Sequence, residues 1–530
     1  DGYRRFSVDT TGAMVASEEV QGLLVLAYEE PPEWRMGRPD NTYRYLIAPS
    51  VNWDINNKAS VLFAYEKLFQ KSPQDRGIIY LENAWPGGGF APRDWSFHQT
   101  SSNQENETDR FSITTNVEIT QALELTAILE HQKYQYNLQE FRNAETEPGW
   151  GDLYNEDGLT WSGVRITNLF WSDWQGDIPS SSAKVFLDYT LGDHTLKFGY
   201  DNYFSKAKNT YASYTIDNTL DILAPVNNQE PNIISYDGTS GDIIRTEESG
   251  FSVRWLGEWT PRFRTVIGAR RFDFEYQGYD VYEAAKTSVR LSASYDLNAA
   301  HTLFVGLSDG HVPQAGEQRT SSVEPIHDKA AEIGVKSQFF NGQIQWTNSV
   351  YQTKRDNLTV ADPSNSPTES FLINAGKAEI RGFESELTGE ITSDWSVRLG
   401  VALMDSEIVE NDVAEFEGNQ FGNTPKHQIA LLTTYAWGDI GIGQLSTDFG
   451  VTRIGERWGN AGNTIKLPAY SLVNLGANLE LTDNFLINVT ATNLTDETYY
   501  TGMQNNNAAV ADQLMVGNIR NISLALTYRY

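Results

Sequence analysis

One pattern limits this chain more than any other: stretch after stretch, apolar and polar residues alternate with a period of two. In the segment 518–530, Ile522, Leu524, Leu526, Tyr528 and Tyr530 alternate with Asn521, Ser523, Ala525, Thr527 and Arg529. A strand turns successive side chains to opposite faces, so one face here is apolar and the other small or polar. Trp395, Val397, Leu399, Val401 and Leu403 repeat the pattern against Ser396, Arg398, Gly400 and Ala402. So do Phe485, Ile487, Val489 and Ala491 against Leu486, Asn488, Thr490 and Thr492. A single strand of this kind fits a soluble sandwich as well as a membrane stave. Its recurrence, with no amphipathic helix between, predicts an all-β protein built as a large transmembrane antiparallel β-barrel.

Composition agrees. The longest purely apolar run, Leu23 to Ala27, has five residues, far short of the ~18 a spanning helix needs. Aromatics reach 12% while mean hydropathy is only -0.45, as expected where only alternate residues meet lipid. At 530 residues the chain exceeds one ordinary soluble domain, which suits one large closed architecture. The formal charge of -30 excludes nucleic acid as a partner, because phosphate binding needs positive patches. Solvated acidic loops are the expected source of the sign, with a dedicated cation site as the alternative. Without cysteine there is neither a disulfide framework nor a thiolate metal site. No signal peptide is visible at Asp1, which fits a mature or truncated chain.

The alternation predicts 21 strands, at about 3–10, 23–29, 43–54, 59–68, 109–119, 123–134, 182–191, 195–204, 249–260, 262–274, 286–297, 301–308, 330–339, 343–355, 371–390, 395–404, 426–437, 444–454, 470–481, 484–493 and 518–530. Short turns, such as Asn56 to Lys58 and Asn341 to Gly342, alternate with long segments at 69–108, 135–181, 205–248, 309–329 and 405–425. Outer-membrane barrels pair short periplasmic turns with long outer loops in this way, and single-chain bacterial barrels have even strand numbers. An odd count therefore implies one further strand ahead of Asp1. Thr160 to Trp171 would supply it internally, but its Arg165, Asn168 and poor alternation favour loop.

Several short motifs occur in a telling order. They are Tyr45-Leu46-Ile47-Ala48-Pro49-Ser50-Val51-Asn52-Trp53, Pro73-Gln74-Asp75-Arg76-Gly77, Pro313-Gln314-Ala315-Gly316-Glu317 and Glu332-Ile333-Gly334-Val335-Lys336. Then come Asn374-Ala375-Gly376 with Arg381-Gly382-Phe383-Glu384, Asn423-Thr424-Pro425-Lys426-His427, and Asn493-Leu494-Thr495-Asp496-Glu497-Thr498-Tyr499-Tyr500. In these residues the chain resembles the barrel of a TonB-dependent ferric siderophore receptor of the bacterial outer membrane. The resemblance covers essentially all of residues 1–530. It implies a barrel of the 22-stranded type around an N-terminal plug, in keeping with the plugged lumen of barrels this size. No plug sequence precedes Tyr3, so the expectation is a barrel domain over 1–530 with the plug and the first strand missing. The resemblance further implies uptake of a ferric siderophore, expected to be of hydroxamate type, energised by a TonB-ExbB-ExbD complex acting through the plug. Lipid, lipopolysaccharide and the barrel-assembly machinery are the other implied partners, with Tyr530 as the terminal aromatic that the machinery reads. Two alternatives stay open: another cargo, such as cobalamin, a different metal chelate or an oligosaccharide, and a plugless passive pore.

A chelate presents a rigid, partly apolar shell with a few polar atoms, so aromatic loop residues are its natural contacts. By position the candidates are Tyr80, Trp85, Trp95, Tyr136, Phe141, Tyr211 and Tyr214, with Arg93, Arg142 or Lys206 to pair an anionic chelate. Packing between loops and anchoring at the lipid interface are the competing roles for such aromatics. No cofactor is expected. The seven histidines show no spacing of a metal site, so no metal ligands are expected. Asp405 to Glu417 is acidic but lacks the fixed Gly and terminal Glu of a calcium loop, and Gly87-Gly88-Gly89 lacks the helix and Lys of a phosphate cradle. No nucleophile motif supports catalysis.

Overall fold

The structure is a computed structural model that describes residues 3–14, 19–31, 42–85, 89–96, 99, 101–143, 151–156, 159–226, 228–278, 281–314, 323–361, 372–411, 413–503 and 513–529. Tyr530 lies outside these residues. One 21-stranded antiparallel sheet dominates, running from Arg4–Ala13 to Asn521–Tyr528. Its ladders join each strand to its neighbour in chain order, from Arg4–Ala13 with Val20–Glu30 through to Phe485–Thr492 with Asn521–Tyr528. Every predicted strand is present. Among the described residues no ladder joins the first strand to the last, and both are exposed along most of their length.

The sheet's two faces follow the alternation. Ile267, Leu291, Leu307 and Ala331 lie on one rung, and the first three are 43%, 44% and 47% exposed. Side chains this apolar, exposed in an unbroken band, mark a surface that meets lipid. The opposite face is polar: Thr434 Oγ1 donates to Asp448 at 2.6 Å, Asn478 Nδ2 to Asp448 at 3.0 Å, and Asn488 Nδ2 to Asn478 at 2.7 Å. Arg270 likewise bridges Asp201 and Glu248.

Tryptophans next to the short turns mark the lower edge of the lipid band. The indole N–H of Trp259 donates to Thr265 at 2.8 Å, Trp346 to Ser385 at 2.9 Å, Trp395 to Thr433 at 2.5 Å and Trp437 to Thr447 at 2.9 Å. Each ring is exposed, yet its one polar atom is already satisfied by a hydroxyl on the sheet, which is what an interfacial anchor needs. On the strand Tyr43–Asn56 the outward Trp53 and Tyr45 are eight residues apart. At ~3.3 Å per residue that is about 26 Å of strand, close to the ~25 Å apolar band of such barrels.

The structure departs from the predicted boundaries at the outer ends. Predicted strands 123–134, 182–191, 195–204 and 249–260 are the lower parts of Leu123–Asn143, Ile166–Leu191, His194–Asp221 and Ile233–Thr260. Beyond the lipid band neither face is selected for apolarity, so the alternation lapses while the ladder continues. Much of 135–181 and 205–248, expected as loop, is therefore sheet. Ile166 to Trp171, also expected as loop, is strand, but it is the top of the strand ending at Leu191 and adds no further stave.

Replacing Leu291 with Arg should cost about 2–4 kcal/mol, the range for a cation near the middle of the lipid face. Ser292→Arg, on the inward row, should cost under ~1 kcal/mol. Equilibrium unfolding by denaturant in lipid vesicles measures both.

Candidate functional site

Above the barrel, the described residues 74–85, 89–96, 99, 101 and 102 fold back against the tall strands. Their start is set by the motif at 73–77. Gly77 has φ +89, and a Cβ there would lie 2.0 Å from the Leu514 carbonyl oxygen. Only glycine tolerates both the conformation and the contact. Asp75 Oδ1 accepts from Gly77 N at 2.8 Å, and Ile78 and Leu514 then exchange backbone bonds of 2.8 and 2.7 Å. Arg76 grips the fully buried Glu140 with a two-pronged pair, Nη2 to Oε1 at 2.6 Å and Nε to Oε2 at 3.0 Å.

On this polar anchor sits an apolar cap. Ile78, Ile79, Leu81, Phe141, Leu153, Leu220, Ile222, Ile465, Leu467 and Leu514 are fully buried together. Two further motifs tie in outer loops. Asn423 donates Nδ2 to the Met503 carbonyl at 3.0 Å and accepts from Met503 N at 2.8 Å. Asn493, at φ 46, spends Nδ2 on the carbonyls of Glu497 and Asn518, both at 2.9 Å. These motifs build the outer loops; their side chains are occupied by backbone.

The expected ligand residues divide. Tyr80, Trp95 and Phe141 lie inside the cap at 8%, 4% and 0% exposure. Trp95 donates its N–H to Ile222 O at 2.8 Å, and Phe141 meets Trp171 edge-on at 5.1 Å. Trp85 and Tyr214 pack against the same core. These five support the cap, the competing role anticipated for loop aromatics. Arg93 is paired with Asp496 at 3.0 Å. Lys206 belongs to the row facing away from the polar interior: it pairs with Arg245 and is followed by Lys208 and Thr210. Of the acidic run at 405–417, Asp405, Glu407 and Glu410 lie on the strand Trp395–Glu410 and Glu415 and Glu417 at a short turn around the buried Phe416; Asp412 lies outside the described residues.

Tyr136 and Tyr211 stand apart from the cap. Register places Tyr136 opposite Asn106 and Gly176, Trp174 opposite Leu138 and Tyr211, and Arg142 opposite Phe170. All continue upward the inward row that holds the Arg110–Glu130 pair. The Tyr136 ring lies over Gly176, where a Cβ would be 2.0 Å from Cε1, and its hydroxyl reaches Asn209 Oδ1 at 3.3 Å. The Trp174 and Tyr211 rings meet at 4.3 Å with their planes tilted by 49°; the Arg142 guanidinium stands 5.8 Å from both the Phe170 and Trp174 rings and 3.7 Å from Glu140. The buried indole N–H of Trp174 has no acceptor among the described residues. Trp174 is one of the aromatics of 135–181 but is not among the candidates preferred by position; cross-strand register, which local spacing does not carry, joins it to Tyr211. The result is an inward strip of π faces with one cation and one unspent donor, suited to a flat, polar-edged, anionic guest.

Residues 38–494 match the family described as "TonB dependent receptor-like, beta-barrel". The metal-pseudopaline receptor of Pseudomonas aeruginosa is 25% identical over 514 residues, 92% of this chain and 68% of that protein. The ferripyoverdine receptor of the same species is 25% identical over 62% of this chain and 42% of its own length. Among solved structures, the siderophore receptor PiuA from Acinetobacter baumannii superposes with a TM-score of 0.82 at 17% identity, covering 100% of this chain and 80% of that one.

Arg76→Ala would leave Glu140 buried without its fork, at a cost of about 3 kcal/mol; hydrogen exchange across 74–102 should rise while the barrel strands stay protected. Burial, helped by Glu82, pushes the Tyr80 phenol up to about 12. The protonated phenol favours the closed cap, so this stability is complete below pH ~10 and is lost as pH rises toward 12. Tyrosinate absorbance in a pH titration should show a late-ionising group of tyrosines, and Tyr80→Phe should lower the amplitude of that late phase by one tyrosine.

Proposed function

The chain belongs to the TonB-dependent receptor β-barrel family, and from that premise we propose that it captures a metal–siderophore complex and imports it with energy delivered through TonB. It is an outer-membrane protein, and its family's work is transport rather than enzymatic catalysis. In this reading residues 1–530 are the barrel domain of a receptor whose plug meets TonB, with ExbB and ExbD supplying the energy. Lipopolysaccharide surrounds the outer lipid band, and Tyr530 signals to the barrel-assembly machinery.

One observation carries the cargo reading: the inward strip of Tyr136, Trp174 and Tyr211 with Arg142 beside it. A chelate wrapped around a metal ion offers planar donor groups to stack and residual negative charge to pair. The strip supplies the π faces and, in Arg142, a cation that also stands 3.7 Å from Glu140, and it continues upward the row that lines the polar interior. Tyr80, Trp85, Trp95, Phe141 and Tyr214 then hold the cap, which packs on the other row of the same strands. The iron complex of a hydroxamate siderophore is the first cargo proposed. The similarity to a metal-pseudopaline receptor favours a second reading, in which the chelated metal is not restricted to iron.

The test is binding by the full receptor in detergent to ferric hydroxamate, catecholate and mixed-ligand chelates, and to the same ligands loaded with Ni²⁺ or Zn²⁺, read by quenching of tryptophan fluorescence. Saturation by one class identifies the cargo; saturation by none removes the siderophore reading. For the class that binds, Trp174→Ala should weaken affinity about tenfold, the ~1.4 kcal/mol of a lost stacking contact. Lys206→Ala, on the opposite face, should leave it unchanged.

A further inference from the structure

We propose that Asp309, His311 and His327 form a binding site for a first-row divalent cation of the Zn²⁺ class at the outer end of two neighbouring strands. The site is separate from the chelate strip and does not depend on the receptor's cargo.

The two strands are His301–Val312 and Ile326–Phe339. Their ladder is unbroken and sets His311 directly opposite His327. Paired residues on one face of an antiparallel ladder hold their Cβ atoms about 4.5–5.5 Å apart, a separation that lets two imidazoles reach one ion. Here the rings lie face to face, 4.5 Å between centroids and 4° from parallel. Asp309 stands one step below His311 on the same face, its Oδ1 2.9 Å from His327 Nε2. One potential ligand atom from each of the three residues falls within 4.8 Å of the others. Tetrahedral bonds of ~2.0–2.1 Å place ligand atoms ~3.4 Å apart, so small side-chain rotations close the set.

Hydrogen bonding alone leaves this cluster incomplete. The His327–Asp309 contact satisfies one nitrogen, whereas Nδ1 of His311 is buried and has no partner among the described residues. A divalent cation would give that nitrogen a partner and at the same time gain the Asp309 carboxylate. Two imidazoles and one carboxylate suit Zn²⁺ and its neighbours, with a position left for water. The other charges near the rings are Lys329 opposite Asp309, Lys354 opposite Lys329, Asp356 opposite His327, and Lys286 and Glu324 beside His311. Lys286 is paired with Glu324 and Lys354 with Glu379, which leaves Lys329 and Asp356, of opposite sign.

Position adds a consequence. Asp309 and His311 extend the lipid-facing row Leu303, Val305 and Leu307, so the ion would clamp two strands where they leave the lipid band, at the base of the loop that joins them.

Zn²⁺ titrated calorimetrically into the full receptor, in detergent and chelator-free buffer without any siderophore, should show one saturable site. His311→Gln and His327→Gln should each weaken it at least tenfold, and Asp309→Asn less. Co²⁺ should give visible absorption of tetrahedral intensity that Zn²⁺ displaces. In the unsubstituted protein, Zn²⁺ should shield His311 and His327, but not His131, from diethyl pyrocarbonate, as read by peptide mass spectrometry. Unchanged binding in either histidine variant, or modification of both histidines at saturating Zn²⁺, overturns the proposal.

Discussion

In hydrocarbon no water stands ready to satisfy a peptide group, and that single fact dictates most of this structure. Each unpaired N–H or C=O left in lipid costs several kcal/mol, so every stave must lie against another along its whole membrane path. The chain meets this in the simplest way, by turning back at each end and pairing with the strand just made. The girdle tryptophans obey the same rule on a smaller scale, giving their lone polar hydrogen to a hydroxyl of the sheet. Where the described sheet ends, at Arg4–Ala13 and Asn521–Tyr528, the rule is unmet on one side of each strand.

Outside the membrane the governing chemistry changes. The cap is a small apolar core of the ordinary soluble kind, and it is registered by polar fasteners: Arg76 on Glu140, Asn423 on Met503, Asn493 across Glu497 and Asn518. The side chains that resemble family signatures are thus consumed in shaping loops. Binding falls to residues such as Tyr136, Trp174 and Tyr211, which carry no signature and are positioned by neighbouring strands.

That division explains what the sequence discloses. Inside the lipid band each strand is written in its own residues, because lipid on one side and a polar interior on the other force a period of two; Ile522, Leu524 and Leu526 could be read without knowing their partners. Above it, Leu123–Asn143 and His194–Asp221 carry polar residues on both faces, and their strand character comes from pairing. Faces were illegible there for the same reason: Tyr211 and Lys206 look equally suited to a ligand in sequence, yet register sends them to opposite sides. His311 and His327 show the limit most clearly. No local spacing links them, and only the ladder makes them neighbours.

The tall strands also bear on reach. His194–Asp221 and Ile233–Thr260 each hold 28 residues, about 90–95 Å of extended chain at ~3.3–3.4 Å per residue. Tilted by roughly 40°, such strands rise about 70 Å, nearly three times the ~25 Å apolar band. The sheet therefore stands like a mast well clear of the lipid headgroups. Anything arriving from outside, whether a solute, a particle or a competitor's protein, touches this mast before it touches the membrane, so the first point of contact is displaced outward from the point of entry.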